Sequence, residues 1–432
     1  GTVPMEGDLN ADGHTVTGLK EPEKDSDAAT KAYTDALAIV ETASGEVVSI
    51  GDSAARKLRG LKLYGRSVQD GTPTPENPVE IQSAGDGGDI TTTVCGTNLL
   101  DFSGAVGGTS AGITATLTGD GGYVMEGTAD STAINIWFFG SYVGGINVFT
   151  LYPGTYTCKN VILFYGQNSF ATVANILPNV PYTFTISQKV VITGVRCVSA
   201  TTGTTYNDTL YPILVRRSSL PEWEPYKSQT FTLSTPNGLR AIPVDSGGGY
   251  TDEDGQEWIG DYADLTAKKL VTKIARADAA SFIKNNINTS STGCRFSYRP
   301  PTGIIDKSNA LCNYLAYRNI DSFTARGNYV ATDESMINIR LTEDITKEEF
   351  QQKYPDLYVL YQLKTPVESN IVGVPDFSGY KPNTTITTDS EPAAGIGVDY
   401  VADPKIYIDN KISALEALQA QVDALIGADS GT

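Results

Sequence analysis

The chain has 432 residues, 40% of them hydrophobic, which is too long for one ordinary core and predicts two to four domains. Its 32 basic and 50 acidic residues give a formal net charge of −18, and such a surface repels phosphate backbones and anionic lipid. We therefore expect no nucleic-acid binding and no membrane insertion, since no apolar run reaches about 18 residues, and we expect no signal peptide.

The first predicted elements are a turn-rich stretch at residues 1–24 and a helical trimerisation segment at 25–48. Asp25-Ser26-Asp27 is a good N-cap cluster for this helix. The apolar residues that recur at helical spacing are Ala29, Tyr33, Ala36, Leu37 and Val40. Because a helix of about four turns is marginal alone, the stripe predicts a bundle of identical chains that pack through Tyr33, Leu37 and Val40.

Residues 49–94 predict the first part of a β platform, and residues 95–226 predict a jelly-roll-like module. Prolines in 71–78 lack donor N–H groups, so that stretch predicts an extended connector. Gly and Asn turns then separate short strand-like runs, as in a sandwich or jelly roll. The runs are Ile113–Leu117, Tyr123–Glu126, Ile134–Phe139, Gly154–Cys158, Tyr182–Ile186 and Val190–Ile192.

Residues 227–375 predict a second β region, with one helix near Thr346–Lys353 and a strand over Tyr358–Leu363. Residues 376–404 predict a linker, since Glu391–Gly395 combines a proline with small residues. Residues 405–432 predict a C-terminal coiled coil that clamps an oligomer. The residues at heptad-core spacing are Leu415, Leu418, Val422 and Leu425.

Several blocks resemble proteins of tailed bacteriophages. Residues 7–35 are similar to a segment of phage fibre proteins that forms a small β element followed by a trimeric helix. Residues 61–81, continued by 95–101, resemble tail and baseplate-associated proteins of phages and prophages of Gram-positive bacteria. In such proteins a block similar to Leu220–Tyr226 closes an inserted module, and Tyr361–Val367 resembles another recurring element.

The resemblance implies a virion protein that is assembled in the bacterial host cytoplasm. Residues 1–24 would then be an attachment element for other virion proteins of the tail, baseplate or capsid. This N-terminus is also similar to that of head-fibre proteins, so both locations stay open. The five scattered cysteines fit assembly in a reducing compartment.

We expect no catalytic, metal or cofactor site. The single histidine, His14, lies in the attachment element, and no cysteines stand at C-x-x-C spacing, so zinc is not expected. Residues 8–13 copy the first half of a calcium loop, but Leu19 stands where a bidentate Glu belongs, which favours a polar turn. Residues 252–255 likewise predict a hairpin turn. Paired carboxylates can run a glycosidase without histidine, so a glycan depolymerase stays an alternative.

The aromatic residues between 134 and 170 are the best candidates for binding. On the strand Ile134–Phe139 side chains alternate between faces, which puts one set in the core and the other outside. The expected core set is Ile134, Ile136 and Phe138, and the glycan-binding candidates are Asn135, Trp137, Phe139, Tyr142 and Tyr165, with Tyr152 and Tyr156 as further neighbours. Aromatic faces stack on sugar C–H surfaces while Asn bonds hydroxyl groups. A sandwich core or a trimer interface is the competing interpretation.

The sequence thus predicts a mainly β fold: an elongated multi-domain homotrimer with jelly-roll or β-sandwich modules and short helical coiled-coil segments at both ends. The expected function is that of a non-enzymatic virion fibre protein that binds bacterial cell-surface glycan, with avidity from three sites on one shaft. A head fibre or capsid decoration protein, and a glycan depolymerase, are the alternatives.

Overall fold

The structure is a computed structural model, and it describes most of the chain. The described residues are 39–51, 58–141, 147–165, 171–172, 176–285, 293–304, 309–319, 327–333, 335–380 and 383–402, with the single positions 412, 415, 416, 418 and 419. Residues 42–400 form one compact unit, and residues 1–41 with 401–432 form another. The described elements are mainly β, which confirms the predicted fold class at this level.

The strands fall into three stretches of the chain. The first stretch contains β1 (Ile39–Gly45), β2 (Val47–Ile50), β3 (Leu58–Tyr64), β4 (Ser67–Val68) and β5 (Gln82–Cys95). The second contains β6 (Gly108–Ser110), β7 (Ile113–Leu117), β8 (Tyr123–Thr128), β9 (Trp137–Gly140), β10 (Phe149–Leu151), β11 (Gly154–Lys159), β12 (Ile162–Tyr165), β13 (Ala171–Thr172), β14 (Tyr182–Ile186), β15 (Val190–Arg196), β16 (Thr205–Leu210) and β17 (Ile213–Val215). The third contains β18 (Ser228–Leu239), β19 (Ala241–Val244), β20 (Tyr250–Thr251), β21 (Glu257–Gly260), β22 (Tyr262–Asp264), β23 (Lys269–Asp278), β24 (Ile283–Asn285), β25 (Cys294–Tyr298), β26 (Ala310–Cys312), β27 (Tyr329–Asp333), β28 (Met336–Leu341), β29 (Tyr358–Asn370), β30 (Thr384–Asp389) and β31 (Gly395–Ala402). A 3-10 helix at Ala279–Ser281 and the α-helix α1 (Lys347–Lys353) also lie in the third stretch.

The first and third stretches share two sheets, which together are called the platform. β5 pairs antiparallel with β18 on one edge and with β30 on the other. β3 likewise lies between β22 and β31. The strand orders are β18-β5-β30-β2 and β1-β31-β3-β22-β23-β29-β26. Segments far apart in sequence are therefore neighbours in one hydrogen-bonded structure.

The alternation of side chains in β3 shows how the platform separates its two faces. Leu61 and Leu63 are buried on one face. The alternate residues, Lys62 and Tyr64, are half-buried on the opposite face. Burial of each leucine contributes roughly 1.5–3 kcal/mol. The opposite face therefore remains available for polar and aromatic side chains.

Residues 96–227, between β5 and β18, are called the inserted module. Its strands form antiparallel sheets of order β16-β8-β7-β6, β14-β11-β17 and β10-β15-β12-β13, with β9 added to β15. These sheets enclose one hydrophobic core, in which Tyr123 and Phe138 are fully buried. The Tyr123 hydroxyl donates to the Asn160 carbonyl oxygen at 3.0 Å, so its polar end is satisfied.

A second core lies under the sheet β24-β25-β28-β27 and holds helix α1, close to its predicted position. The Glu349 N–H donates to Thr346 Oγ1 at 3.2 Å and the Thr346 N–H donates to Glu349 Oε2 at 2.7 Å, which is a capping box. Phe350 is fully buried and stacks on Phe296 with ring centroids 4.2 Å apart. A cap and one aromatic anchor thus hold this short helix.

Two predicted elements are wrong where the structure describes them. Val40 lies in β1 and not in the predicted helix, because it belongs to a β-branched Ile39-Val40 pair that favours a strand. Most of the predicted linker at 376–404 forms β30 and β31, in which Ile386 and Ile396 are buried. The proline that suggested a linker, Pro392, stands in the short connection between these strands.

The predicted trimerisation residues are described only in part. Tyr33, Leu37, Val422 and Leu425 lie outside the described residues, as does the predicted attachment element. Leu415 and Leu418 are helical, with side chains 66% and 56% exposed. The apolar heptad positions that the structure describes therefore face solvent in the single chain.

Candidate functional site

Three neighbouring strands bring part of the predicted binding set to one face of the inserted module. β15 pairs with β9 on one edge, which places Arg196 opposite Trp137. On its other edge β15 pairs with β12, which places Gly194 opposite Phe164. A Cβ at Gly194 would come within 2.6 Å of the indole, so glycine leaves the space that this ring fills. The Trp137 and Phe164 rings meet there with centroids 4.6 Å apart.

The predicted alternation along the segment that enters β9 is confirmed. The buried residues are Ile134, Ile136 and Phe138. Asn135 is exposed, and Trp137 and Phe139 are half-buried. A bulge in the pairing of β9 with β15 lies between Trp137 and Phe139. Phe139 accordingly packs against Phe102, with centroids 5.8 Å apart, while Trp137 packs against Phe164.

Arg196 joins this set without having been singled out from the sequence. Its guanidinium carbon lies 5.1 Å from the Phe164 centroid and 6.0 Å from the Trp137 centroid, within cation–π range. Nη1 donates to Asn135 Oδ1 at 3.1 Å. Burial lowers the pKa of Arg196 from its ordinary value, yet an arginine stays protonated at neutral pH. Asn135, Trp137, Phe164 and Arg196 are called the Trp137 cluster.

The predicted tyrosines that the structure describes do not form one surface with this cluster. Tyr165 ends β12 and packs, half-buried, on the module core. Tyr142 lies outside the described residues. Tyr152 and Tyr156 are core residues: the Tyr156 hydroxyl donates to the Tyr152 carbonyl oxygen at 2.9 Å, and the Tyr152 hydroxyl donates to the Thr388 carbonyl oxygen at 2.7 Å. Their expected place beside Trp137 is therefore wrong.

A second surface of the inserted module is more open. This groove has a volume of about 590 Å³ and is lined by the first residues of the module, the β7–β8 loop and the segment before β18. Trp223 and Phe102 supply its aromatic walls, and Asp101 and Asp120 supply carboxylates. Both carboxylate residues are exposed. An aromatic wall beside solvent-facing acceptors is the arrangement that a polyhydroxylated ligand requires.

Hydrogen bonds hold one wall of the groove in place. Trp223 Nε1 donates to the Pro212 carbonyl oxygen at 2.9 Å, and its ring lies 4.5 Å from that of Tyr211. The Thr118 hydroxyl donates to Asp120 Oδ1, and the Tyr211 hydroxyl donates to Oδ2 at 3.0 Å. These hydrogen bonds lower the pKa of Asp120, and the bond from Thr118 has the largest effect. Asp120 is therefore a fixed, ionised acceptor at neutral pH.

The groove suits a glycan better than the Trp137 cluster does. Arg196 and Phe164 are only 8% and 5% exposed, so that cluster is largely internal packing. In the groove, Trp223, Asp101 and Asp120 face a common open volume. The block that contains Trp223 resembles phage proteins, but no local sequence pattern places Trp223 beside Asp101 as a ligand contact.

Comparisons with known proteins identify no relative: no protein-family model, curated protein or solved structure matches this chain. Over the described ranges, no helix is long and apolar enough to span a membrane. In the same part of the chain, no group of His, Cys, Asp and Glu side chains is arranged to hold a metal ion. The geometry of the surfaces is thus the basis for any assignment of function.

Proposed function

We propose that this chain is a structural fibre protein of a bacteriophage virion and that its inserted module binds a glycan of the bacterial surface. The observation that carries the binding proposal is the open groove, where a fixed indole stands beside two solvent-facing carboxylates. The phage assignment rests on the sequence resemblance of residues 7–35 and 61–81, and a mainly β fold is compatible with it.

The chemistry of the groove favours a neutral glycan. Hydroxyl groups of a sugar donate to Asp101 and Asp120, while a C–H face packs on Trp223. The two carboxylates repel a polyanionic chain at close range, and the net charge of −18 adds to that repulsion. The groove therefore selects a ligand rich in hydroxyl groups and poor in negative charge.

The proposed assembly is a homotrimer that multiplies a weak site. Leu415 and Leu418 lie one heptad step apart on a helix and are mostly exposed in the single chain. Packing against two further copies would bury them, at roughly 1.5–3 kcal/mol for each fully buried leucine. Three grooves on one particle component raise the avidity without strong contacts at any single site.

The test is binding of the full chain to purified Gram-positive cell walls, measured by depletion of the protein from solution. Asp101→Ala should weaken binding at least tenfold, since it removes a solvent-facing acceptor from the groove. Asp208→Ala is the matched control, because Asp208 is an exposed carboxylate on β16 that does not line the groove. If Trp137→Ala loses binding and Asp101→Ala keeps it, the Trp137 cluster and not the groove is the glycan site.

Hydrolysis of the bound glycan is a second candidate, because two carboxylates line one groove. A glycosidase needs one carboxyl group that stays protonated near neutral pH, which requires a raised pKa. Hydrogen bonds lower the pKa of Asp120 instead, so it is unsuited to be the acid. If the parent chain releases reducing ends from host polysaccharide and Asp120→Asn does not, the groove hydrolyses the glycan and does not only bind it.

A further inference from the structure

A smaller pocket lies in the platform, away from the inserted module. It has a volume of about 190 Å³ and is bounded by the sheet containing β3, β22 and β23 and by the small sheet β19-β21-β20. Its side-chain walls are Lys62, Tyr64, Tyr250, Trp258, Tyr262 and Lys273. This lysine pocket is smaller than the sites that hold drug-sized molecules, so it fits one small ring and excludes an extended chain.

The register of the platform builds the tyrosine walls. β3 and β22 place Tyr64 directly opposite Tyr262, with ring centroids 6.0 Å apart. Tyr250 stacks on Tyr64 at 4.8 Å with an interplanar angle of 15°. Gly397 on β31 makes room for this stack, because a Cβ there would come within 2.7 Å of the Tyr64 ring. The tyrosines are thus seated by the backbone before any ligand arrives.

Polar contacts also hold the Trp258 side chain in place. Its Nε1 donates to Asp252 Oδ2 at 2.8 Å. The Arg66 guanidinium lies 5.8 Å from the indole centroid and forms an ion pair with the same carboxylate at 3.5 Å. Because donor, cation and ring fix one another, the pocket is preorganised, which lowers the cost of binding.

Two ammonium groups face the pocket, and they differ in their partners. Lys62 Nζ lies 5.7 Å from the Tyr262 centroid and 3.9 Å from Asp264 Oδ2. Lys273 Nζ lies 5.2 Å from the same centroid. Across the described residues no carboxylate lies within ion-pair distance of Lys273. In a chain with a net charge of −18, this leaves one lysine ready for an external anion.

The remaining carboxylate of the pocket is already occupied by backbone donors. Asp261 Oδ1 accepts from the N–H groups of Lys273 at 2.6 Å and Ile274 at 2.9 Å, and Oδ2 accepts from the Arg240 N–H at 3.1 Å. Its residue is 5% exposed. Asp261 therefore fixes the backbone of Lys273 at the bulge of β23 and forms no ion pair with its ammonium group.

We propose that the lysine pocket binds a single acidic sugar ring, whose carboxylate or phosphate pairs with the Lys273 ammonium group while its C–H face contacts the tyrosine walls. A charge-assisted bond in a partly desolvated pocket supplies the affinity, and the aromatic walls supply the shape. The site is separate from the groove and does not rest on the proposed function. It accepts a terminal or pendant acidic residue of a glycan, since the pocket holds only one ring.

The experiment is a calorimetric titration of the full chain with glucuronate, with glucose 6-phosphate and with glucose. Lys273→Gln should weaken binding of an acidic sugar at least tenfold, because it removes the charge and keeps a polar side chain that is only one bond shorter. Its thermal unfolding should match that of the parent chain, since Asp261 holds the backbone of residue 273 and not its side chain. Lys269→Gln is the matched control: it lies on the same strand, pairs with Glu368 at 3.9 Å and does not line the pocket.

Binding of either acidic sugar that is lost in Lys273→Gln and kept in Lys269→Gln supports the proposal, and the preferred sugar identifies the anionic group. Absence of binding by both acids, equal binding of glucose, or equal effects of the two lysine variants overturns it. Asp101→Ala should leave this titration unchanged, because Asp101 lines the groove and not the lysine pocket. The titration therefore tests the lysine pocket independently of the cell-wall assay that tests the groove.

Discussion

The pH dependence of stability tests the buried state of Asp261. Burial raises the pKa of Asp261 from its ordinary 3.8 to about 6, although three backbone N–H groups favour the ionised form. In the window between these values the folded chain holds a proton that the unfolded chain has released. Stability from this group is therefore complete below the lower value, falls as pH rises through the window and is lost above the higher value.

The size of the effect follows from the difference between the two pKa values. About two units correspond to about 3 kcal/mol, spread over the window at no more than about 1.4 kcal/mol per pH unit. Other carboxylates titrate nearby, so the informative quantity is the difference in unfolding free energy between the parent chain and Asp261→Asn. Asparagine offers an oxygen to the N–H groups of Lys273 and Ile274 but does not titrate. We expect this difference to fall by about 3 kcal/mol between acid and neutral pH.

The assay is urea unfolding at a series of pH values, followed by tryptophan fluorescence, since Trp258 lies in the platform beside Asp261. Asp208→Asn removes the same charge from an exposed site and serves as the control. A difference for Asp261→Asn that stays constant, or that grows with rising pH, would show that the pKa of this carboxyl group is not raised in the folded chain. The argument that burial outweighs its three hydrogen bonds would then be wrong.

Three further predictions concern packing and assembly. Gly140 has a φ of 59°, and a Cβ there would overlap the Thr193 carbonyl oxygen. Gly140→Ala should therefore lower the unfolding free energy by more than about 2 kcal/mol. Gly203→Ala is the control and should lower it less, because Gly203 has a φ of 82° but open space around the position of a Cβ. Phe350→Ala should cost about 3–5 kcal/mol in chemical unfolding, and a loss below about 1 kcal/mol would contradict its role as the anchor of α1. Light scattering should give about 138 kDa, three times the chain mass of 46.0 kDa, and Leu418→Asp should reduce it to one chain; a monomeric parent would refute the trimer.

Local sequence was sufficient where neighbours along the chain decide the structure. The alternating run Ile113–Leu117 has the same bounds in the structure, and α1 carries its own cap in Thr346 and Glu349. The predicted linker rested on the proline and small residues of Glu391–Gly395, whereas the β-branched run Thr384–Thr388 favours the strand β30. Its partner on β5 is far away: Cys95 and Thr385 stand 290 positions apart. No local pattern indicates which distant strand pairs with β30, so its central position in the sheet could not be predicted from the sequence.

The candidate binding surfaces likewise combine features that local sequence indicates with features that only the pairing of distant strands produces. Alternation alone placed Asn135 and Trp137 on the face opposite to the buried Ile134, Ile136 and Phe138. Arg196 was hidden at the end of the mostly apolar run Val190–Arg196, and only the register of β15 against β9 places it under the indole. The groove unites the start and the end of the inserted module, where Asp101 and Trp223 have no sequence signal in common.

The way the inserted module joins the platform determines how the proposed binding of a cell-surface glycan would load the two connecting strands. β5 and β18 carry the chain into and out of the module and lie side by side, with Cys95 opposite Ser228 at the module end. A pull on such a pair alone would open its hydrogen bonds one rung at a time. β30 pairs with the other edge of β5 at the same end, with Thr385 opposite Cys95 and Asp389 opposite Thr91. β5 can therefore leave the sheet only if both ladders break, whereas β18 lies at the edge of this sheet and is held by one ladder, so β5 is the more firmly held of the two connecting strands.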